Sequence, residues 1–282
     1  MSEILVSAKG LAKSYGAKQA LKPTDLEIPA GRIVGVIGAN GAGKSTLLNC
    51  LLGLSDYQGE LSVMGMNPLM QRAALMEQVC FIADVATLPR WARVHEILDW
   101  VAGLHPKFNR AKAEARLATT TVPLKAKVNA LSKGMIVQVH LAVALAIDAR
   151  ILVLDEPTLG LDIVNRRGFY DAILSDFWDE NRTVIITTHQ VDEVEPILSH
   201  AIFIRDGAIR LDASMDAVSE RFLAVDVLDS QKEEAQSLGP IYGRSLMGRT
   251  TFVFDGASAD ALKKFGEARR VGLADLFVAL AQ

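Results

Sequence analysis

Several ingredients are scarce in this chain, and each scarcity removes a class of function. Only two cysteines occur, Cys50 and Cys80, in apolar surroundings and without metal-ligand spacing. That excludes a disulfide framework and a cysteine-based zinc site, and it suits buried thiols in a reducing compartment. The five histidines do not cluster, so a histidine metal centre is not expected either. No basic stripe stands out against a net charge of −3, which argues against a nucleic-acid surface. Long apolar runs are missing as well. The uncharged stretch Gly134–Ile147 is shorter than the roughly 20 residues that span a bilayer, and the start, MSEILVSAKG, carries Glu3 and no apolar core of signal-peptide length. A cytosolic protein is predicted, with room in 282 residues for one large or two modest domains.

What the chain does contain is GANGAGKST, the residues Gly38, Ala39, Asn40, Gly41, Ala42, Gly43, Lys44, Ser45 and Thr46. The stretch fits G-x-x-x-x-G-K-[ST]. An apolar run, Ile33–Ile37, precedes it in the manner of a buried strand, and Thr46–Leu54 reads as a helix start. Strand, glycine-rich loop and helix are the context a phosphate-binding loop requires. The glycines let successive N–H groups point into one concavity at the positive end of the helix, where a polyphosphate belongs. Lys44 reaches the β and γ phosphates, and the Ser45 hydroxyl enters a magnesium shell.

In chain order, residues 4–28 predict an antiparallel sheet around the turn Tyr15-Gly16. Tyr15 is suited either to sheet packing or to stacking on adenine. Asp84 follows a strand at Val79–Ala83 and is either a turn former or a site carboxylate. Val94–Leu104 repeats apolar residues at helical spacing, and Asn129–Met135 precedes an apolar helix over Ile136–Ile147. Ser132 and Gly134 fall at the start of that helix, as a plain N-cap or as an anion contact. Ile151–Leu154 is a buried parallel strand ending at Asp155, where open α/β sheets bind ligands. Two adjacent acids there are costly unless used, and alternation along a strand points Glu156 away from Asp155. Thr183–Thr187 leads to His189 in the same way, and Asp192, Glu193 and Glu195 read as the exposed side of a helix. A hairpin spans 201–211 around Asp206-Gly207. Beyond Ala213 come short strands at Phe222–Val227, Tyr242–Leu246 and Thr251–Phe254, then an amphipathic helix over Val271–Ala281.

Taken in this order, the motifs resemble those of the ATP-binding-cassette (ABC) ATPases over residues 1 to about 212. GANGAGKST is similar to the Walker A loop, LSKGM (131–135) to the signature, ILVLDE (151–156) to Walker B, TLGLD (158–162) to the D-loop and TTHQ (187–190) to the switch histidine region. Within the family, LSKGM resembles the bacitracin-resistance and YtrB-like exporter groups. The resemblance implies an α/β P-loop NTPase core (1–212) with an antiparallel β subdomain and a helical signature subdomain at about 86–145, plus an accessory α+β region (213–282). It implies ATP and Mg2+ as ligands, and a head-to-tail dimer, of two copies or of paralogues, that sandwiches ATP. Tyr15 would stack on adenine, Gly38–Thr46 would hold phosphate, and Ser45, Asp155 and Asp84 would bind magnesium. Glu156 would polarise water, His189 would contact the γ-phosphate, Ser132 and Gly134 would act across the interface, and Asp162 would link the two sites. The implied partner is a separate membrane permease, reached from the cytoplasmic face. Asp84 in place of glutamine, Lys133 and Met135 in the signature, and Gln138 in place of arginine depart from the family pattern. A soluble ABC ATPase acting on DNA or ribosomes is the alternative, disfavoured by the short, coiled-coil-free stretch between Lys44 and Ser132 and by the single cassette.

Overall fold

The structure, a computed structural model, describes residues 3–83 and 88–280. Strands β1 (Ile4–Tyr15) and β2 (Lys18–Pro29) form the expected antiparallel hairpin. β3 (Ile33–Ile37), buried at every position, runs into the glycine-rich loop and the helix Lys44–Leu51. β4 (Gln58–Val63) then pairs antiparallel with β1 and completes a sheet of order β2-β1-β4. β4 carries no clear strand pattern in the sequence, because Gly59 dilutes it. Gly59 is required there: its φ is +88°, and a Cβ would lie 2.3 Å from the Gly10 carbonyl oxygen, so only glycine lets the strands approach.

The remaining core strands are β5 (Val79–Ile82), β6 (Ile151–Asp155), β7 (Thr183–Thr188), β8 (His200–Arg205) and β9 (Ala208–Ser214). With β3 they make a six-stranded sheet, β5-β6-β7-β3-β8-β9, parallel except for β9, the second arm of the predicted hairpin. The central strands β3, β6 and β7 bury both faces. Ile33, Ile37, Leu152, Leu154, Val184 and Ile186 point into one apolar cluster under the helices, while Val34, Val36, Ile151, Val153 and Ile185 join Leu11, Leu21 and Leu26 of the antiparallel sheet. A one-residue slip would exchange these sets, so burial fixes the register. Ile37 stands opposite Thr188, and Asp155 opposite Thr187, which brings the carboxyl ends of β3, β6 and β7 side by side.

The helices Val94–Leu104, Arg110–Ala118 and Lys133–Leu145 pack around Val94, Leu98, Ala113, Leu117, Val139 and Ala142, a cluster of their own. The last of them begins three residues before the predicted Ile136, capped by Ser132.

After the helix Met215–Arg221, β10 (Phe222–Leu228), β11 (Tyr242–Leu246), β12 (Arg249–Asp255) and β13 (Arg269–Arg270) form an antiparallel sheet of order β11-β12-β10-β13, followed by the helix Leu273–Leu280. One face of this sheet has a small core of Val225, Val227, Phe252, Phe254, Leu262 and Phe265. The other face is continuous with the main core, since Phe222, Ala224, Val253, Leu273 and Leu276 share a cluster with Leu154 and Ile186. Continuity of the core predicts that the whole chain melts together. Leu276→Ala, at a fully buried site, should cost about 2–5 kcal/mol and lower a single thermal transition; two separate transitions in calorimetry would contradict the shared core.

Candidate nucleotide site

The glycine-rich loop curls as its sequence requires. Gly41 and Gly43 have φ of +80° and +115°, and a Cβ on Gly43 would stand 2.7 Å from the Ala20 carbonyl oxygen. Lys44 is buried across the loop, its Nζ donating to the Gly38 carbonyl oxygen at 2.8 Å and lying 3.3 Å from Glu156 Oε1. The helix Lys44–Leu51 has no side-chain cap, so its first N–H groups are free of side-chain acceptors.

Two carboxylates and a histidine meet this loop from β6 and β7. The Ser45 hydroxyl donates to Asp155 Oδ1 at 3.3 Å, and the Thr187 hydroxyl donates to the same oxygen. Glu156 Oε1 accepts from His189 Nδ1 at 2.9 Å. Donation to a carboxylate oxygen corresponds to the tautomer with its proton on Nδ1 and leaves Nε2 as the second ring nitrogen. The expectation that Glu156 points away from Asp155 is corrected here. β6 ends at Asp155, and Glu156 adopts φ +47°, a left-handed conformation that alternation along a strand does not describe. Its N–H donates to the Thr187 carbonyl oxygen at 3.1 Å and to its hydroxyl at 3.2 Å. This conformation costs about 1–3 kcal/mol in a non-glycine residue and is kept where surrounding contacts over-determine it. As a result Asp155 and Glu156 line one cleft of about 330 Å³, together with Tyr15, Lys18, Ala20, Asn40, Gly41, Gly43, Lys44, Ser45 and Thr46.

Tyr15 stands at the rim of this cleft, 50% exposed, with Lys13 Nζ 4.8 Å above its ring. Ser132, Gly134 and Asp162 are not among the lining residues. Ser132 accepts from Met135 N at 3.2 Å and so acts as the N-cap of its helix. Asp162 caps the helix Ile163–Asp176, accepting from Asn165 N at 2.9 Å; that bond holds its carboxyl below the usual range. Gly134 lies against the same helix, where a Cβ would come 3.3 Å from the Asn165 amide nitrogen. These three residues therefore sit at the starts of two adjoining helices, apart from the cleft. Asp84 lies outside the described residues. Gln138 keeps its side-chain oxygen buried without a hydrogen-bond partner among the described residues, in a cavity it shares with Gly134 and Asn165.

Comparison with known proteins agrees with this geometry. A family description, ABC transporter, matches residues 21–159. The chain is 35% identical to the aliphatic sulfonates import ATP-binding protein SsuB of Pseudomonas putida (strain KT2440), over 77% of this chain and 78% of the relative. The chain belongs to the ABC transporter ATP-binding proteins. This ABC protein is an ATP-binding ATPase that serves transport. It is also 30% identical to an uncharacterized ABC transporter ATP-binding protein, YdbJ, of Bacillus subtilis (strain 168), over 78% of this chain and 72% of that one. With SsuB 2 of Pseudomonas savastanoi pv. phaseolicola it shares 32% identity across 94% of each chain. Among solved structures, an ATP-binding subunit of an ABC transporter superposes with a TM-score of 0.69 at 23% identity, covering 76% of this chain and 91% of the other. A dimeric post-hydrolysis cassette bound to ADP and Pi gives 0.67 at 23%, covering 74% and 98%.

The residues of the cleft suit ATP and magnesium. A backbone concavity edged by a buried ammonium accepts phosphate oxygens, and a serine hydroxyl beside a carboxylate is the hard oxygen set that magnesium prefers. Gly43→Ala should abolish nucleotide binding, because its Cβ collides with backbone rather than with a movable side chain. A fluorescent-nucleotide titration checks this, and retained affinity would refute the close-packed loop.

Proposed function

We propose that this ABC protein energises transport through a separate membrane permease, by ATP-driven closure of a head-to-tail dimer. One observation carries the reading: Lys44, Glu156 and His189 converge on the phosphate loop, whereas Ser132, Gly134 and Asp162 face elsewhere on the same chain. Each place would then supply half of a site. Beside Asp162, Ile163 and Val164 are 81% and 77% exposed, an apolar edge suited to cover by a second copy. Residues 1–212 would form the nucleotide-binding unit and 213–282 the accessory region.

In the assembled site Gly38–Thr46 cradle the phosphates, Tyr15 stacks on the adenine, and Lys44 balances phosphate charge. Ser45 and Asp155, with Asp84, hold magnesium, which when bound draws charge from the phosphate oxygens. Glu156 orients the attacking water and takes its proton, while His189 fixes the Glu156 carboxylate through Nδ1 and turns Nε2 toward the γ-phosphate. Ser132 and Gly134 approach the nucleotide from the second copy, and Asp162 transmits its arrival. Phosphoryl transfer asks little more of a protein than such positioning and charge.

No described helix is long and apolar enough to cross a membrane, so the pathway would belong to the permease. Docking would use the surface around Asp84 and the helix Val94–Leu104. The direction favoured here is export, on the LSKGM resemblance to the bacitracin-resistance and YtrB-like groups; the SsuB relatives carry import in their names. Membrane recovery that depends on a neighbouring permease gene supports this assembly, and recovery with ribosomes alone would support the soluble alternative. Glu156→Gln should stop turnover while retaining ATP and trapping the dimer, read by phosphate release and size-exclusion chromatography; undiminished hydrolysis would remove Glu156 from its role.

A further inference from the structure

Sequence reading placed Glu193 on an exposed helix face. The structure places it elsewhere: its side chain is 21% exposed and pairs with Arg166, itself 27% exposed. Three further contacts converge on the same carboxylate. The Thr158 hydroxyl donates to Glu193 Oε2 at 3.3 Å, and Tyr170 OH stands 3.2 Å from that hydroxyl. Thr158 is spent as a donor to Glu193, so Tyr170 donates to Thr158. Burial pushes the Tyr170 phenol up to about 12, which keeps that proton in place. With its amide nitrogen turned toward the carboxylate, Gln190 donates to Glu193 Oε1 at 2.8 Å and to Oε2 at 3.1 Å. Arg166, on the far side, donates through Nε to the Leu161 carbonyl oxygen at 2.7 Å.

Each contact comes from a segment that already matters. Thr158 is two residues beyond Glu156, Gln190 is one residue beyond His189, and Leu161 precedes Asp162. We propose that Glu193 is a positioning residue, joining the segments that carry Glu156 and His189 to each other and, through Arg166, to the D-loop. The Glu156–His189 contact at 2.9 Å then has a second cross-link behind it, between the same two segments. A displacement of Leu161–Asp162 pulls Arg166, shifts Glu193, and changes the angle at which Glu156 meets His189. Glu193 does not line the cleft. Charge explains the choice of residue: a carboxylate is the one group that accepts from an arginine, a hydroxyl and an amide together.

The inference rests on the roles proposed above for Glu156 and His189, and the experiment separates the two. Glu193→Ala, Glu193→Gln and Glu156→Gln are compared by steady-state ATPase assay, nucleotide titration and thermal melting. A displaced catalytic pair predicts that Glu193→Ala lowers kcat by about 10- to 100-fold with KM changed less than about 2-fold. Glu193→Gln, which keeps the shape and one acceptor oxygen, should recover part of the loss. Combining Glu193→Ala with Glu156→Gln should add nothing to the loss from Glu156→Gln alone, because Glu193 acts through Glu156. Normal kcat in Glu193→Ala, alongside an inactive Glu156→Gln, overturns the positioning role and leaves the site reading intact. Normal hydrolysis by Glu156→Gln overturns both. A fall in nucleotide affinity and melting temperature that accounts for the lost rate, unrecovered in Glu193→Gln, marks Glu193 as merely structural and also overturns the proposal.

Discussion

Parallel strands can end together only if something holds their register, and here it is burial on both faces of β3, β6 and β7. Alternate residues of each strand belong to different apolar clusters, so a shift of one residue would turn every strand inside out. Held this way, Gly38, Asp155, Glu156 and His189 leave the sheet at the same edge. The chemistry of the cleft is therefore a consequence of Val, Ile and Leu placement some distance beneath it. Hydrogen bonds at the strand ends, such as Glu156 N to Thr187, adjust an arrangement that packing has already chosen.

How much of this is legible in the sequence depends on the range of the physics involved. The phosphate loop, β3, β6, β7 and the helix Val94–Leu104 follow from local periodicity and local turn chemistry, and they are read within a residue or two. Subfamily-level likeness to the bacitracin-resistance group is a different matter, since the relatives quoted above carry other names. β4 escapes because its place depends on Gly10 and Gly59 meeting across two strands, which no window of sequence contains. Glu156 was misread for a related reason: its left-handed backbone is imposed by Thr187, thirty-one residues on. Glu193 looked like surface because acids on short helices usually are; its partner Arg166 belongs to another helix.

Gly134 and Asn165 mark where two helices of the chain meet. A larger residue at 134 would push directly on Asn165, so the helix Lys133–Leu145 lies close against the helix that Asp162 begins. Lys133 likewise approaches Gly160. Ser132, Gly134 and Asp162 are thus carried by two helices that lie close against each other.

The helix Leu273–Leu280 has its N-terminus held by Glu195, which accepts from Leu273 N at 3.0 Å, and its last carbonyl held by Arg205 at 3.2 Å. Phe277 and Leu280 close a cavity whose other wall is Ala39–Ala42, the outer flank of the phosphate loop. Leu280, the last described residue of this helix, therefore stands next to the loop. A label at Leu280 would report on the outer flank of the phosphate loop, and a bulky handle at that position would crowd it.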